Sequence, residues 1–403
     1  MPKSKTISYV RQNLHKIVYF IFWPVVVIVE RIIHSVLAKK YQKIIVWRTA
    51  EERLGHLAGN TELFLRRKTL SCKDESVLHI WVATRSRAAN KRLFDMVSVH
   101  FTVIQNRLCK FFIKVMATRN PSYWDLYNTF AFNSNEYYEF NTISPQLAFS
   151  EREEAEGTKM IAQIGLSAHE YIGFHNRDSQ YLIRTHPFLD YSYHNHRDSD
   201  VSEILPALRF LNNQNIWAVR IGQDFEKSVA MDSARIIESP IVIEDKEFLD
   251  LYVLKKCKFF IGNTSGPYVV ALAFGTPSVL LNWIPLKYAP MLKNDIFIPK
   301  KLWSEVKERF LTFREIIYSN INEWNETDLY KEAGIKVVDN SADEILAVVQ
   351  EMNSRIEDTW VETEEDKELQ NCFRSLFQQG YHCYGFPSRI GANFLRENRQ
   401  LLE

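Results

Sequence analysis

The stretch Lys258–Trp283, KFFIGNTSGPYVVALAFGTPSVLLNW, constrains the fold more than any other part of the chain. An apolar strand closes on Gly262, and a tight polar turn, Asn263-Thr264-Ser265-Gly266, follows it. Pro267 then stands where a first helical residue tolerates a missing N–H. The helix stops at Gly275, with Pro277 just beyond, and a second apolar strand begins. This is the strand, helix, strand rhythm of a doubly wound α/β sheet. Such a turn aims free backbone N–H groups and the positive end of a helix dipole at one point, which suits an anion. Thr264 and Ser265 add hydroxyl donors, and an ordinary capped helix reads the same way.

The rhythm recurs on both sides. Val77–Thr84 reads as a strand, and alternating runs continue through RAANKRLFDMV, HFTVI and CKFFIKVM. A second series starts near Gly165 with the strand Tyr171–His175, the helix VSEILPALRFLNNQ and the strand IWAVRIG. Between them, residues 120–150 are rich in aromatic residues and asparagine without a clean period and read as loop-rich and substrate-facing. A length of 403 residues exceeds one ordinary core, so two units are expected. The chain divides into a hydrophobic and basic segment at 1–40, a first α/β unit at 41–164, a second at 165–350, and closing helices at 351–403 that cross back to the first unit.

Lysine and arginine number 50 against 49 acids, so no global field argues for nucleic acid, and any anion site must be local. The 5 cysteines include no CxxC pair, which argues against a disulfide framework or structural zinc and fits a reducing cytoplasm. At the amino end, Lys3, Lys5, Arg11 and Lys16 precede the apolar run Ile17–Val29, which Glu30 and Arg31 interrupt and Pro24 kinks. The run reads as an interfacial or re-entrant anchor on the cytoplasmic face of the inner membrane, peripheral or monotopic, meeting anionic lipid. A true span and a helix buried against the protein are the rival readings.

Two loops repeat one chemistry. FHNRDSQY, Phe174–Tyr181, and SYHNHRDSD, Ser192–Asp200, each carry histidine and an Arg-Asp-Ser triplet. Arg177 and Arg197 can each make paired bonds to phosphate oxygens, and His175 can donate to the same group. Asp178 or Asp198 can orient the arginines or receive a sugar hydroxyl proton. Asp198 and Asp200 resemble a metal-binding pair, but Asp200 is better placed as the cap of a helix starting at Val201. In ERLGHLAGNTE, Glu52–Glu62, Gly55 permits close backbone approach to a substrate beside Arg53, and His56 is a base or a phosphate partner. Arg220 and Gly222 close a strand at a similar crevice position.

Taken together, these stretches resemble the bacterial GT-B glycosyltransferases, and within them a poorly characterised group of surface-polysaccharide biosynthesis. The marks are R-L-G-H-L-A with N-T-E behind it, H-N-R-D-S-Q-Y, Y-H-N-H-R-D-S-D with L-P-A-L after it, and C-K-F-F-I-G-N-T-S-G-P. His175 with Arg177 also looks like the His-x-Arg motif of fucosyltransferase-type enzymes, where the arginine meets the donor diphosphate. The resemblance implies two Rossmann-like domains facing across a cleft, no cofactor beyond the nucleotide-sugar donor, and no obligatory metal. It implies a donor held by Arg177, Arg197, Arg220, Gly222, Asn263, Thr264, Ser265 and Gly266, and a glycan or lipid-linked acceptor beside Arg53 and Gly55. His56, Asp178 and His175 are the catalytic candidates. The residue for the donor ribose has no clear place, with Glu315 and Glu244 as the options. A sugar-nucleotide epimerase or hydrolase, and a glycan-binding scaffold, are the alternatives on the same fold.

Overall fold

A computed structural model describes residues 24–25, 27–47, 50–70, 75–127, 135–178, 190–222, 225–229, 233–238 and 245–403. In chain order its strands are β1 (Lys43–Trp47), β2 (Val77–Val82), β3 (Thr102–Ile104), β4 (Trp124–Tyr127), β5 (Tyr171–Phe174), β6 (Trp217–Arg220) and β7 (Ile236–Glu238). They continue as β8 (Phe260–Gly262), β9 (Ser278–Trp283), β10 (Ile296–Pro299), β11 (Lys301–Ser304), β12 (Arg309–Phe310), β13 (Ile335–Val338) and β14 (Arg389–Ile390).

The first sheet has the order β3-β2-β1-β4, and every pairing in it is parallel. The second has the order β14-β10-β9-β8-β5-β6-β7, again parallel throughout. Counted from its own first strand, each sheet winds outward, returns to its start and winds out on the other side, as Rossmann sheets do. A small antiparallel sheet, β12-β11-β13, lies beyond the second. The parallel architecture expected from the sequence is therefore the one observed.

Burial explains why the second sheet is so legible. β8 and β9 are buried at every position, as strands covered by helices on both faces must be. Phe248, Phe259 and Phe260 lie at 0% exposure in its core, each worth about 2–3 kcal/mol of burial. The helix Gly266–Phe274 ends on Gly275 at φ 75°, a left-handed cap that glycine takes without a Cβ penalty.

Three stretches read from the sequence can be set against the structure. Residues 120–150, read as loop-rich, also hold β4, which pairs with β1, and the helix Tyr137–Thr142. Only four residues of β4 are strand, too few to stand out among so many aromatics. Residues 351–403 add a strand and helices beside the second sheet. β14 pairs with β10, and the helices Ala342–Ile356, Glu364–Ser375 and Ala392–Glu397 pack on one another beside it. Amphipathic periodicity says that a helix has a buried face and not which surface it meets. Of the apolar run Ile17–Val29, residues 17–23 and 26 lie outside the described residues. Among the described residues, no helix is long and apolar enough to cross a membrane.

Candidate anion-binding crevice

In the second sheet the winding reverses between β5 and β8, which are neighbours. A crevice opens beyond the carboxyl ends of strands at such a reversal, because the two chains leave it in opposite directions. His175, Asn176, Arg177 and Asp178 follow β5, and Asn263, Thr264 and Ser265 follow β8. Two of the motifs singled out in the sequence are therefore the two lips of one crevice.

The second Arg-Asp-Ser loop locks onto the first. Arg177 Nε donates to Asp198 Oδ1 at 2.9 Å, Asn176 Nδ2 donates to the Ser199 carbonyl at 2.6 Å, and Ser199 Oγ donates back to Asn176 Oδ1 at 2.6 Å. Arg197 reaches the β8 turn, donating from Nε to Thr264 Oγ1 at 3.3 Å and from Nη2 to the Thr264 carbonyl. Lys300, just past β10 and only 4% exposed, donates to the Asp198 carbonyl at 2.7 Å and to Asp339 at 2.6 Å. Asp198 thus orients Arg177. Asp200 caps the turn at Val201 by accepting from Ser202 N at 2.8 Å, as the sequence suggested. Among the described residues, no three His, Cys, Asp or Glu side chains converge to hold a metal.

Positive charge accumulates here. Burial, with Arg177 close by, pulls the Arg197 guanidinium down to about 10. The imidazole of His194 is held at about 4 by burial and by Arg197, Arg177 and Arg53, the last reaching in from the first unit. His196 is likewise held at about 4 by burial, Arg197, His194 and Lys300. Like charges gathered in a low-dielectric crevice repel one another, and an anion placed among them removes that cost. The Asn263 carboxamide points the same way: the residue is 1% exposed, and neither its Nδ2 nor its Oδ1 has a hydrogen-bond partner. A buried amide left unsatisfied costs about 1–3 kcal/mol, which a bound ligand or water recovers. Ser265 caps the helix Gly266–Phe274 without a side-chain bond, so its first amides remain directed at the same point.

Several expected roles change. Thr264 Oγ1 donates to the Ile284 carbonyl at 3.3 Å and Ser265 Oγ to the Asn263 carbonyl at 3.1 Å, so both hydroxyls shape the turn. His175 Nδ1 lies 3.0 Å from the Ile221 carbonyl. A carbonyl can only accept, so Nδ1 carries the proton, and burial holds the ring at about 4. Its Nε2 therefore presents a lone pair, and His175 accepts where the sequence reading had it donate to a phosphate. The Gly222 N–H donates to Asp250 at 3.3 Å, and a Cβ there would lie 3.3 Å from the His175 ring. At φ 107°, glycine serves there to seat the histidine. Arg220 is committed to Glu238 at 2.5 Å, the Lys227 carbonyl at 2.7 Å and the Phe225 ring at 3.8 Å, although its Nε and Nη2 remain without partners. Glu315 caps the helix Phe313–Ile317 and pairs with Lys307 and Arg309, which removes it as a ribose ligand. Glu244 lies outside the described residues.

The first unit meets the crevice through glycine. A Cβ on Gly55 would lie 3.3 Å from Val269, and one on Gly266 would lie 3.2 Å from Leu54 Cβ. The close approach anticipated at Gly55 is real, but what approaches is the helix Gly266–Phe274. The turn bearing Arg53 and His56 is thereby set beside the β8 turn. The His56 imidazole is pulled below its ordinary value by partial burial and by Arg53.

His194, Lys300, Asn176 and the buried pair Glu62–Arg66 were not anticipated as functional parts. Arg66 donates to Glu62 at 2.6 Å, to the Phe140 carbonyl at 2.9 Å and to the Ala273 carbonyl at 3.4 Å. Glu62 accepts from the amides of Gln146 and Leu147 at 2.8 and 2.9 Å. The pair ties the first unit to the connecting segment and to the far end of the crevice helix. The repeated histidines of YHNHRDSD were the available signal for His194, whereas nothing around Lys300 marks it.

The fold and site together define a protein of two Rossmann-type sheets with an electropositive crevice at the second sheet's reversal. No protein-family model matches the chain, and no curated protein matches it. Among solved structures it is similar to a family 9 glycosyl transferase from Veillonella parvula, with 10% identity over 78% of this chain and 97% of that one and a TM-score of 0.44. It is similar to the E. coli ADP-heptose LPS heptosyltransferase II, with 14% identity over 64% and 90% of the two chains and a TM-score of 0.38. It is also similar to the iron-containing dodecameric glycosyltransferase TibC from enterotoxigenic E. coli, with 12% identity over 63% and 64% and a TM-score of 0.35.

Proposed function

We propose that this protein transfers a sugar from a nucleotide-activated donor to a hydroxyl of a surface-glycan acceptor, lipid-linked and presented at the cytoplasmic face of the inner membrane. The observation that carries the reading is the convergence of Arg177, Arg197 and Arg53 on His194, beside an unpartnered buried Asn263 and an open helix amino terminus. A diphosphate has the charge and the acceptor oxygens this arrangement lacks.

In transfer, the acceptor oxygen bonds to the anomeric carbon as the bond from that carbon to the diphosphate oxygen breaks. The diphosphate leaves with the electron pair, and Arg177, Arg197 and the helix amides stabilise the charge that develops on it. We assign no metal a role in this step. His56, pulled below its ordinary value and on the acceptor side of the seam, takes the acceptor proton if the configuration inverts. His175 Nε2 accepts a hydrogen bond from a sugar hydroxyl.

The test is mass spectrometry of products after incubating the protein with a panel of nucleotide sugars and cell-envelope acceptor. A mass increase of one sugar on the acceptor, lost in Arg177→Ala, supports the reading. Release of free sugar or an isomerised donor without any acceptor product contradicts it.

A further inference from the structure

We propose that the outward face of the amino-terminal helix is a seat for an anionic bilayer surface, and that the helix lies along that surface instead of crossing it. Among the described residues, helix 27–37 has one face with partners and one without. Inward, Glu30 is 8% exposed and pairs with Arg119 at 3.1 Å, His34 packs edge-on against Tyr123, and Ile33 and Leu37 pack on the cluster that contains Ile44, Val46 and Trp124. Outward, Val25, Ile28, Ile32 and Val36 form a stripe at helical spacing, 49%, 59%, 58% and 60% exposed. An aqueous surface gives no reason to align four branched apolar side chains.

Charge decides what the stripe meets. The first fifty residues hold nine lysines and arginines and a single acid, Glu30, although the whole chain is balanced at 50 against 49. That one acid is turned inward onto Arg119. Arg31, Lys39 and Lys40 are exposed on the helix and the turn after it, and Lys3, Lys5, Arg11 and Lys16 precede it in sequence. An apolar stripe with a purely basic margin matches an acyl surface under anionic headgroups, where each basic residue near the surface adds attraction. A partner protein with an apolar groove would have to be acidic all round its rim to match as well. Because the opposite face is fixed to the first unit by Glu30, His34, Ile33 and Leu37, the helix cannot turn to span a bilayer without leaving the core. The seat would bring the first unit to the plane in which a lipid-linked acceptor lies, and to that extent it rests on the proposed function. Lipid binding itself does not.

Vesicle flotation of the full chain tests the seat. The protein is expected to float with vesicles of phosphatidylethanolamine and phosphatidylglycerol, to be released by high salt, and to stay down with phosphatidylcholine alone. The pair Ile28→Glu and Ile32→Glu, at positions outside the core, is expected to weaken flotation at least tenfold with an unchanged thermal midpoint. Arg31→Glu with Lys39→Glu and Lys40→Glu is expected to abolish the anionic preference without touching the stripe. Flotation of the isoleucine variant at the wild-type level would overturn the proposal by assigning binding to the preceding apolar run. Equal flotation on neutral vesicles, or none on anionic ones, would overturn it as well. Nucleotide binding, measured separately, stays intact in all these variants if the crevice is as described, so the seat and the crevice can each fail alone.

Discussion

Arg177 and Arg197 show how two residues acquire a function that neither has alone. Each is held by one residue, Asp198 for the first and the hydroxyl and carbonyl of Thr264 for the second, so guanidinium N–H groups remain to meet an anion. Charge-assisted bonds of this kind are worth about 1.5–3 kcal/mol each. Arg177→Ala is therefore expected to weaken nucleoside diphosphate binding by about ten- to a hundredfold, with the thermal midpoint nearly unchanged. The histidines give a second residue-scale expectation. His175, His194 and His196 are held at about 4 in the folded protein, below the ordinary value near 6.5. Between those values the unfolded chain binds protons that the folded one does not, so stability rises with pH across that window and is complete above it. The thermal midpoint should fall as pH is lowered from 7 to 5, and His194→Gln should reduce the fall. A pH-independent midpoint in wild type would show that these rings are not held neutral. The sequence marked which loops carry the arginines, and the cap at Asp200 was legible there, because aspartate before a helix start is a cap signal. Which hydrogen-bond direction each group takes was not, since His175 and Gly222 owe their roles to Ile221 and Asp250, which are distant in sequence or unremarkable in type.

The elements were legible in proportion to how completely they are buried. β8, the helix Gly266–Phe274 and β9 stand out because every strand position is buried and the punctuation by Pro267 and Gly275 is unambiguous. β4 was lost among aromatics, and the docking surface of the closing helices left no trace in their periodicity. Contacts between elements are written in small residues and buried charges, which look ordinary in a sequence. At the seam, Gly266→Val would drive a branched side chain against Leu54, because even a bare Cβ at residue 266 would lie 3.2 Å from Leu54 Cβ. The expected cost is about 1–3 kcal/mol in stability. Nucleotide affinity should fall with it, because the helix amino terminus and the Arg53 turn are displaced together. Calorimetry on the variant checks both. Arg66→Met leaves Glu62 buried without its partner and the Phe140 and Ala273 carbonyls unsatisfied. The expected loss is about 3–5 kcal/mol, on the order of 10 °C in Tm. A loss under about 1 kcal/mol would mean that the segment holds together without the pair.

At the scale of the whole molecule, the turn that carries Arg53 in the first unit packs on the helix that follows the second unit's crevice strand, and Arg53, Arg177 and Arg197 all act electrostatically on His194. The second unit supplies Arg177, Arg197, Asn263 and the helix amino terminus; the first supplies Arg53 and His56 across the contact of Gly55 with Gly266. The amino-terminal helix leaves its stripe of Val25, Ile28, Ile32 and Val36 on the first unit's outer surface, the face proposed above to meet lipid. The central claim is that this shared crevice holds a nucleoside diphosphate, and isothermal titration with a panel of such diphosphates tests it most directly. At least one is expected to bind wild type with one-to-one stoichiometry and to bind at least tenfold more weakly to both Arg177→Ala and Arg197→Ala. Absence of binding by every nucleotide, or equal affinity in wild type and both variants, would contradict it.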